Sequence, residues 1–216
     1  MGPRGYSDRH DAGRQLAPAV VEALGAFGDG GGALVLGLAR GGVPVAAPIA
    51  AATGGELDAL VVRKIGAPGH EELAIGAIAS GAAEVLNEPL IRRLRLSERD
   101  VARQTERARR QLAEREARLR GTRPFPDLTE RVIVLVDDGL ATGATMRAAI
   151  GAVRTAAPAA VIVAVPVGAP DTCDELAGLV DDLVCPLRPV WFHAVGQWYR
   201  NFDATTDADV ARLLVR

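Results

Sequence analysis

The chain has 216 residues, 49% hydrophobic and 24% charged, with a formal net charge of −2. That is enough for one α/β domain with a full core, and the near-zero charge excludes a global positive field that would recruit nucleic acid, so any anion site must be local. Aromatics make up only 4%, so the core must be built from Ala, Val, Leu and Ile, and the only two cysteines, Cys173 and Cys185, form neither a disulfide framework nor a zinc-type cluster.

After a polar, glycine-containing start (Met1–Asp11), the pattern predicts a helix over Asp11–Phe27, a strand over Ala33–Leu38, a helix over Val43–Thr53 and a strand over Ala59–Val62. Ser97–Arg120 then breaks the rhythm. It has no Gly or Pro, is rich in Arg, Glu and Ala, and has Ser97 as an N-cap and Gly121 as a stop. This reads as a long helix, solvated or in subunit contact, inserted before the next strand. Glu106–Arg110 and Glu114–Arg118 stand at the spacing of helical ion pairs. Further on come a strand over Val132–Val136, a helix over Gly143–Ala157, a strand over Ala160–Val165, a helix over Asp171–Ala177 and a weaker strand over Leu179–Cys185. Pro186–Phe202 concentrates both tryptophans in an aromatic-poor chain and reads as a flap, and Thr206–Arg216 as a closing helix.

Three of the strands are nearly continuous β-branched runs, the pattern of strands buried on both faces. Alternation with helices implies a mainly parallel sheet flanked by helices, with ligands at the carboxyl ends of the strands. The expected organisation is one domain over residues 1–216, with a core at about 10–185, an inserted helix at about 97–120 and a small aromatic hood at about 186–202. No early apolar segment resembles a signal peptide and no run approaches a membrane span, so a cytoplasmic protein without membrane partners is expected.

The most informative stretch is Val132-Ile-Val-Leu-Val-Asp137-Asp138-Gly139-Leu140-Ala141-Thr142-Gly143-Ala144-Thr145. A buried strand ends in two carboxylates, a loop of small and hydroxylic residues follows, and a helix begins. A helix start presents unpaired N–H groups and a positive dipole end, which favours a phosphate by about 0.3–1 kcal/mol. Thr142 and Thr145 add hydroxyls, and Gly143 lets the backbone come close. Adjacent carboxylates repel unless something donates to or is coordinated by both, and sugar hydroxyls or a magnesium ion would serve. The combination describes a ribose 5-phosphate site. It is not a Walker-type loop, and no Gly-x-Gly-x-x-Gly follows the first strand.

Asp137–Thr145 resembles the signature with which type I phosphoribosyltransferases bind phosphoribosyl pyrophosphate (PRPP), and its wording is similar to the adenine-specific branch. The hypoxanthine–guanine branch has an aspartate where this chain has Ala141, so the acid/base group of that branch is missing. The resemblance implies that Asp137 and Asp138 hold the ribose hydroxyls, and magnesium directly or indirectly. It implies that Ala141, Thr142, Gly143, Ala144 and Thr145 hold the 5-phosphate. Gly37-Leu-Ala-Arg40-Gly41-Gly42 resembles the pyrophosphate loop. Arg63-Lys64-Ile-Gly-Ala-Pro68-Gly69 resembles the start of the mobile loop, with Lys64 as a second pyrophosphate contact and Pro68–Gly69 as the tip. Trp191–Tyr199 resembles the hood, where Trp191 or Phe192 would cover the acceptor. His193 reads as structural more readily than as an acid/base group, and His10 and His70 have no recognisable partners.

The opening Tyr6–Arg14, the arginine-rich insertion and Ala194–Phe202 resemble a bacterial subgroup of predicted phosphoribosyltransferases. The expectation is a magnesium-dependent transferase that moves ribose 5-phosphate from PRPP to a nitrogenous acceptor, a nucleobase first among them, in a homodimer. The alternative is a non-catalytic regulator of the same fold that senses PRPP or a nucleotide and contacts RNA through the arginine helix. The mixed charges of that helix weigh against nucleic acid.

Overall fold

The computed structural model describes residues 5–28, 32–82 and 84–215. Strands β1 (Leu34–Leu38), β2 (Glu56–Leu60), β6 (Val132–Val136), β7 (Ala160–Ala164) and β8 (Asp182–Val184) form a five-stranded sheet in the order β2-β1-β6-β7-β8. Every pairing in it is parallel. Strands β3 (Val62–Ala67), β4 (His70–Ala79) and β5 (Glu84–Leu86) form a separate antiparallel sheet. The expected α/β architecture is the one found.

The parallel sheet is buried on both faces, which is why its strands read as unbroken apolar runs. Leu34, Leu36, Ile133, Leu135, Val161 and Val163 pack against helices α5 (Ala144–Arg154) and α6 (Pro170–Ala177). The alternate residues Val35, Val134, Val136, Ile162 and Ala164 pack against α1 (Arg9–Gly25) and α2 (Gly42–Thr53). A third cluster joins the antiparallel sheet to the short α3 (Glu88–Arg93), the long α4 (Glu98–Arg120) and the closing α7 (Asp207–Leu214).

Two readings are corrected here. The run Ala59–Val62 straddles a break: β2 ends at Leu60, and Val62 opens β3 of the other sheet. Arg63–Gly69, expected to open a loop, is instead the first strand and the turn of an antiparallel hairpin, with the turn at Pro68–Gly69 and Gly69 at φ +73°. The partner strand β4 carries Glu71, Glu72, Ala74, Gly76, Ala77 and Ala79 among few β-branched residues, so its sequence gives a weak strand signal.

The long helix has the expected limits, with Ser97 capping the Asp100 N–H and Gly121 following at φ +63°. It is less solvated than expected. Thr105, Ala108, Leu112 and Leu119 form a buried stripe at helical spacing. Its arginines do not form the anticipated Glu106–Arg110 and Glu114–Arg118 pairs. They reach other elements instead: Arg109 to Glu84, Arg107 to Glu71 and Arg115 to Asp207. Arg120, 3% exposed, bonds Asp58 of β2 at 3.1 Å and the Ala59 carbonyl at 2.6 Å, and so fastens the end of the insertion to the sheet. Removing Arg120 leaves the buried Asp58 carboxylate with the Ala59 N–H at 2.6 Å and, as its one remaining cation, the half-exposed Arg123 at 3.3 Å. Arg120→Ala should therefore lower stability by about 3 kcal/mol, whereas Arg123→Ala should lower it by under about 1 kcal/mol. Thermal unfolding followed by circular dichroism checks this, and equal effects of the two would contradict it.

Candidate active site at the carboxyl ends of the central strands

Strands β1 and β6 are neighbours, but the chain leaves them in opposite directions. After β1 it runs through α2 to β2 on one side, and after β6 through α5 to β7 on the other. Their two loops therefore part at the carboxyl ends and open a crevice, the usual ligand position in an open α/β sheet. The first loop is Ala39–Gly42, with a cis peptide between Ala39 and Arg40. The second is Asp137–Gly143.

The loops touch through glycine. A Cβ on Gly41 would lie 2.2 Å from Asp138 Oδ2, and one on Gly42 would lie 2.3 Å from the Val136 carbonyl oxygen. Any larger residue would push the first loop off the acid pair. Gly143 turns the second loop into α5 at φ +67°, where a Cβ would also meet Thr172 at 2.7 Å. In this turn Ala141, Thr142, Ala144 and Thr145 are exposed, while Gly143 is buried and the Thr172 hydroxyl donates to the Ala141 carbonyl at 2.7 Å. Helices α1, α3, α4 and α7 begin with a side-chain cap from Asp8, Asn87, Ser97 and Thr206. The two helices that begin at the crevice, α2 and α5, have glycine caps and no capping side chain. Helix α6, with Pro170 in its first turn, also has no side-chain cap. At α2 the Val43 N–H donates to the Arg40 carbonyl at 3.2 Å, while Pro44 has no N–H. The first N–H groups of α5 have no side-chain partner among the described residues.

Asp137 sits at the end of the buried strand and accepts from the Asp138 N–H at 2.9 Å. Burial, then the neighbouring Asp138 charge, pushes its carboxyl from 3.8 to about 8. Asp138 is also pushed upward by burial, against the Arg9 guanidinium, which donates to Oδ2 at 2.8 Å. Tyr199 donates its hydroxyl to the Asp138 carbonyl at 2.6 Å. Burial and the Asp138 charge raise that phenol well above its ordinary range. Tyr199 also packs on Tyr6, whose hydroxyl donates to the Pro166 carbonyl at 2.8 Å. Sequence reasoning missed Arg9, which lies 129 residues from its partner. The only available signal was its place in the Tyr6–Arg14 opening.

Of the other anticipated residues, Arg40 stands beside the crevice, with its guanidinium 3.7 Å from an Asp207 oxygen that Arg115 approaches at 2.9 Å. Gly41 and Gly42 meet the acid pair as described. Lys64 is exposed on β3, makes no hydrogen bond or ion pair with another described residue, and lines a polar hollow with Gln104, Arg107 and Gln111 of α4. Nothing in these contacts brings it to the acid pair. Trp191 is 78% exposed, while Phe192 is half-buried; neither joins the stacked rings of Tyr6, Tyr199 and Phe202. His10, His70 and His193 donate no hydrogen bond to a described residue, and His193 is exposed. Cys173 and Cys185 are free and buried. Among the described residues no three His, Cys, Asp or Glu side chains cluster as a metal cage, and no helix is long and apolar enough to cross a membrane.

Residues 27–200 match the phosphoribosyl transferase domain family. The chain belongs to this family. Proteins from two Mycobacterium tuberculosis strains, which carry the provisional name of a phosphoribosyl transferase, are 44% identical to this phosphoribosyl transferase domain over 214 residues, covering 98% of it and 46% of each relative. The domain thus spans about half the length of those relatives. The crystal structure of TT1426 from Thermus thermophilus is similar along nearly the whole of both chains, with 40% identity, 98% coverage of each and a TM-score of 0.80.

The acid pair gives the ligand-free domain a pH signature. Because the folded-state pKa of Asp137 lies above the ordinary 3.8, its stabilising effect is complete below that value and is lost as pH rises through about 8. Asp137→Asn stays neutral and keeps an oxygen for the Asp138 N–H. Its unfolding midpoint should exceed that of the native domain by a few degrees at pH 8.5, with the gap closing as pH falls toward 4. A pH-independent gap would contradict the assignment.

Proposed function

We propose that the domain transfers ribose 5-phosphate from PRPP to a nitrogenous acceptor, a nucleobase first among them, and releases pyrophosphate. The observation that carries this is the seating of two carboxylates between two uncapped helix starts in an open crevice. One helix start with hydroxyls suits a terminal phosphate, the acids suit a diol, and the other helix start with an arginine suits a second anion. Few metabolites carry those three groups in that order.

In this reading Ala141, Thr142, Gly143, Ala144 and Thr145 bind the 5-phosphate, and Asp137 and Asp138 bind the 2- and 3-hydroxyls. The backbone of Gly41 and Gly42 approaches the pyrophosphate, and Arg40 exchanges the loosely held Asp207 for it. Lys64 reaches the same group by movement of the β3–β4 hairpin. Trp191 and Phe192 present rings for a planar acceptor. The bond from carbon 1 to the pyrophosphate oxygen breaks while that carbon gains cationic character. The acceptor nitrogen then forms the new bond from the opposite face and gives up its proton. The protein contributes placement and stabilisation of the leaving charge. Ala141 offers no group to take the acceptor proton.

Magnesium fits these residues if it arrives with the donor. The acid pair offers carboxylate oxygens without a full cage, and the ion readily takes its remaining ligands from phosphates and water. When bound, it would supply charge neutralisation to the pyrophosphate. The two free thiols fit a reducing cytoplasm, and a homodimer of a single catalytic unit over 1–216 completes the proposal. The ion-paired arginines of α4 speak against RNA binding there.

A pyrophosphate-release screen of PRPP and magnesium against a panel of purine and pyrimidine bases tests this, with release above hydrolysis expected for at least one base. The double substitution Asp137→Asn, Asp138→Asn should weaken PRPP binding by about 100-fold or more, as expected for losing charge-assisted hydrogen bonds at two positions. Calorimetry showing retained tight binding would contradict the assignment.

A further inference from the structure

We propose that Arg9 is the positioning residue of the diol site: it fixes which oxygen of Asp138 faces the sugar and ties that carboxylate to the C-terminal segment at Phe202 and Asp203. The role rests on the reading of the acid pair given above.

Arg9 enters from α1 a crevice otherwise made by loops 39–42 and 137–143, and its guanidinium is held on three sides. Nε donates to Asp138 Oδ2 at 2.8 Å. Nη1 donates to the Asp203 carbonyl at 2.7 Å. The plane lies over the Phe202 ring at 3.8 Å from its centroid. The side chains of Arg9 and Asp138 are only 12% and 16% exposed, so this pair is largely shielded from water and worth more than a surface pair. A surface salt bridge would leave both groups free to turn, whereas this one does not.

The consequence lies in the two oxygens of Asp138. Oδ2 is taken by Arg9 and rests against the backbone of Gly41, where even a Cβ would approach it at 2.2 Å. Oδ1 accepts no hydrogen bond from a described residue. With the carboxylate pinned at one oxygen and the Asp138 carbonyl held by Tyr199, the second oxygen is the one left for a ligand hydroxyl. Because Arg9 also holds residues 202 and 203, the orientation of Asp138 and the seating of the C-terminal segment depend on one another. Lysine could not substitute fully. Its single ammonium would reach the carboxylate or the carbonyl, and it has no plane to lay on the ring.

The test compares binding of ribose 5-phosphate and 2-deoxyribose 5-phosphate by calorimetry in the native chain, Arg9→Ala and Arg9→Lys. The native chain should prefer the sugar with both hydroxyls by about tenfold or more, the worth of a hydrogen bond to a charged group. Arg9→Ala should bind the deoxy sugar nearly as the native chain does, while its preference falls to within about twofold. Arg9→Lys should fall between, and it decides the matter should the alanine variant not fold. An unchanged preference in the variants would overturn the role of Arg9 and leave the proposed function standing. Equal loss of both sugars would also overturn it, because Arg9 would then be a general structural support. No preference in the native chain would remove the diol reading itself, and the role of Arg9 with it.

Discussion

Two carboxylates stand side by side at the end of a buried strand, where burial and mutual repulsion both oppose their charge. The surroundings of β6 can be understood as the means of keeping them there. Arg9 neutralises one of them from outside the sheet, and the Asp138 N–H supports the other. Glycine at 41 and 42 lets the neighbouring loop lie against them, which a side chain would prevent. Tyr199 fixes the backbone between strand and turn. At the crevice the first turns of α2 and α5 have no side-chain cap, and Asp138 Oδ1 accepts no hydrogen bond from a described residue.

The parts outside the parallel sheet are fastened to that place rather than appended to it. The long helix α4 is anchored at one end through Arg120 to Asp58. Along its length Arg115 shares Asp207 with Arg40 of the β1–α2 loop. The insertion, the closing helix and the glycine loop therefore meet at one carboxylate. The N-terminal segment and the hood meet in the same manner, through the Tyr6–Tyr199 bridge and the Arg9 contacts to Phe202 and Asp203. Membership of the phosphoribosyl transferase domain family accounts for the sheet and its crevice. The close similarity to the Thermus thermophilus structure extends across the insertion and the hood as well.

Much of this was legible in the amino-acid order because the physics is local. A strand buried on both faces must be apolar throughout, and Val132–Val136 and Ala160–Ala164 are. A helix with a serine cap and a glycine stop announces its ends, as Ser97 and Gly121 do. Acids followed by a small-residue turn and a helix form a compact motif, so the chemistry of Asp137–Thr145 is written in neighbouring residues. By contrast, β4 was illegible, because its partners and the helix behind it supply the burial that its glycine and alanines do not advertise.

Burial periodicity and contacts within a few residues were enough to set the layered α/β architecture, the extent of the inserted helix and the acid-to-threonine turn. It took the folded chain to bring Arg9 onto Asp138, to carry Arg107, Arg109 and Arg115 of α4 across to other elements, to lay Lys64 on a hairpin against that helix and to leave Trp191 apart from the stacked rings. Those pairings join residues distant in the chain, and nothing in the spacing of charges or rings along it specifies which of many possible partners will meet once the sheet has closed.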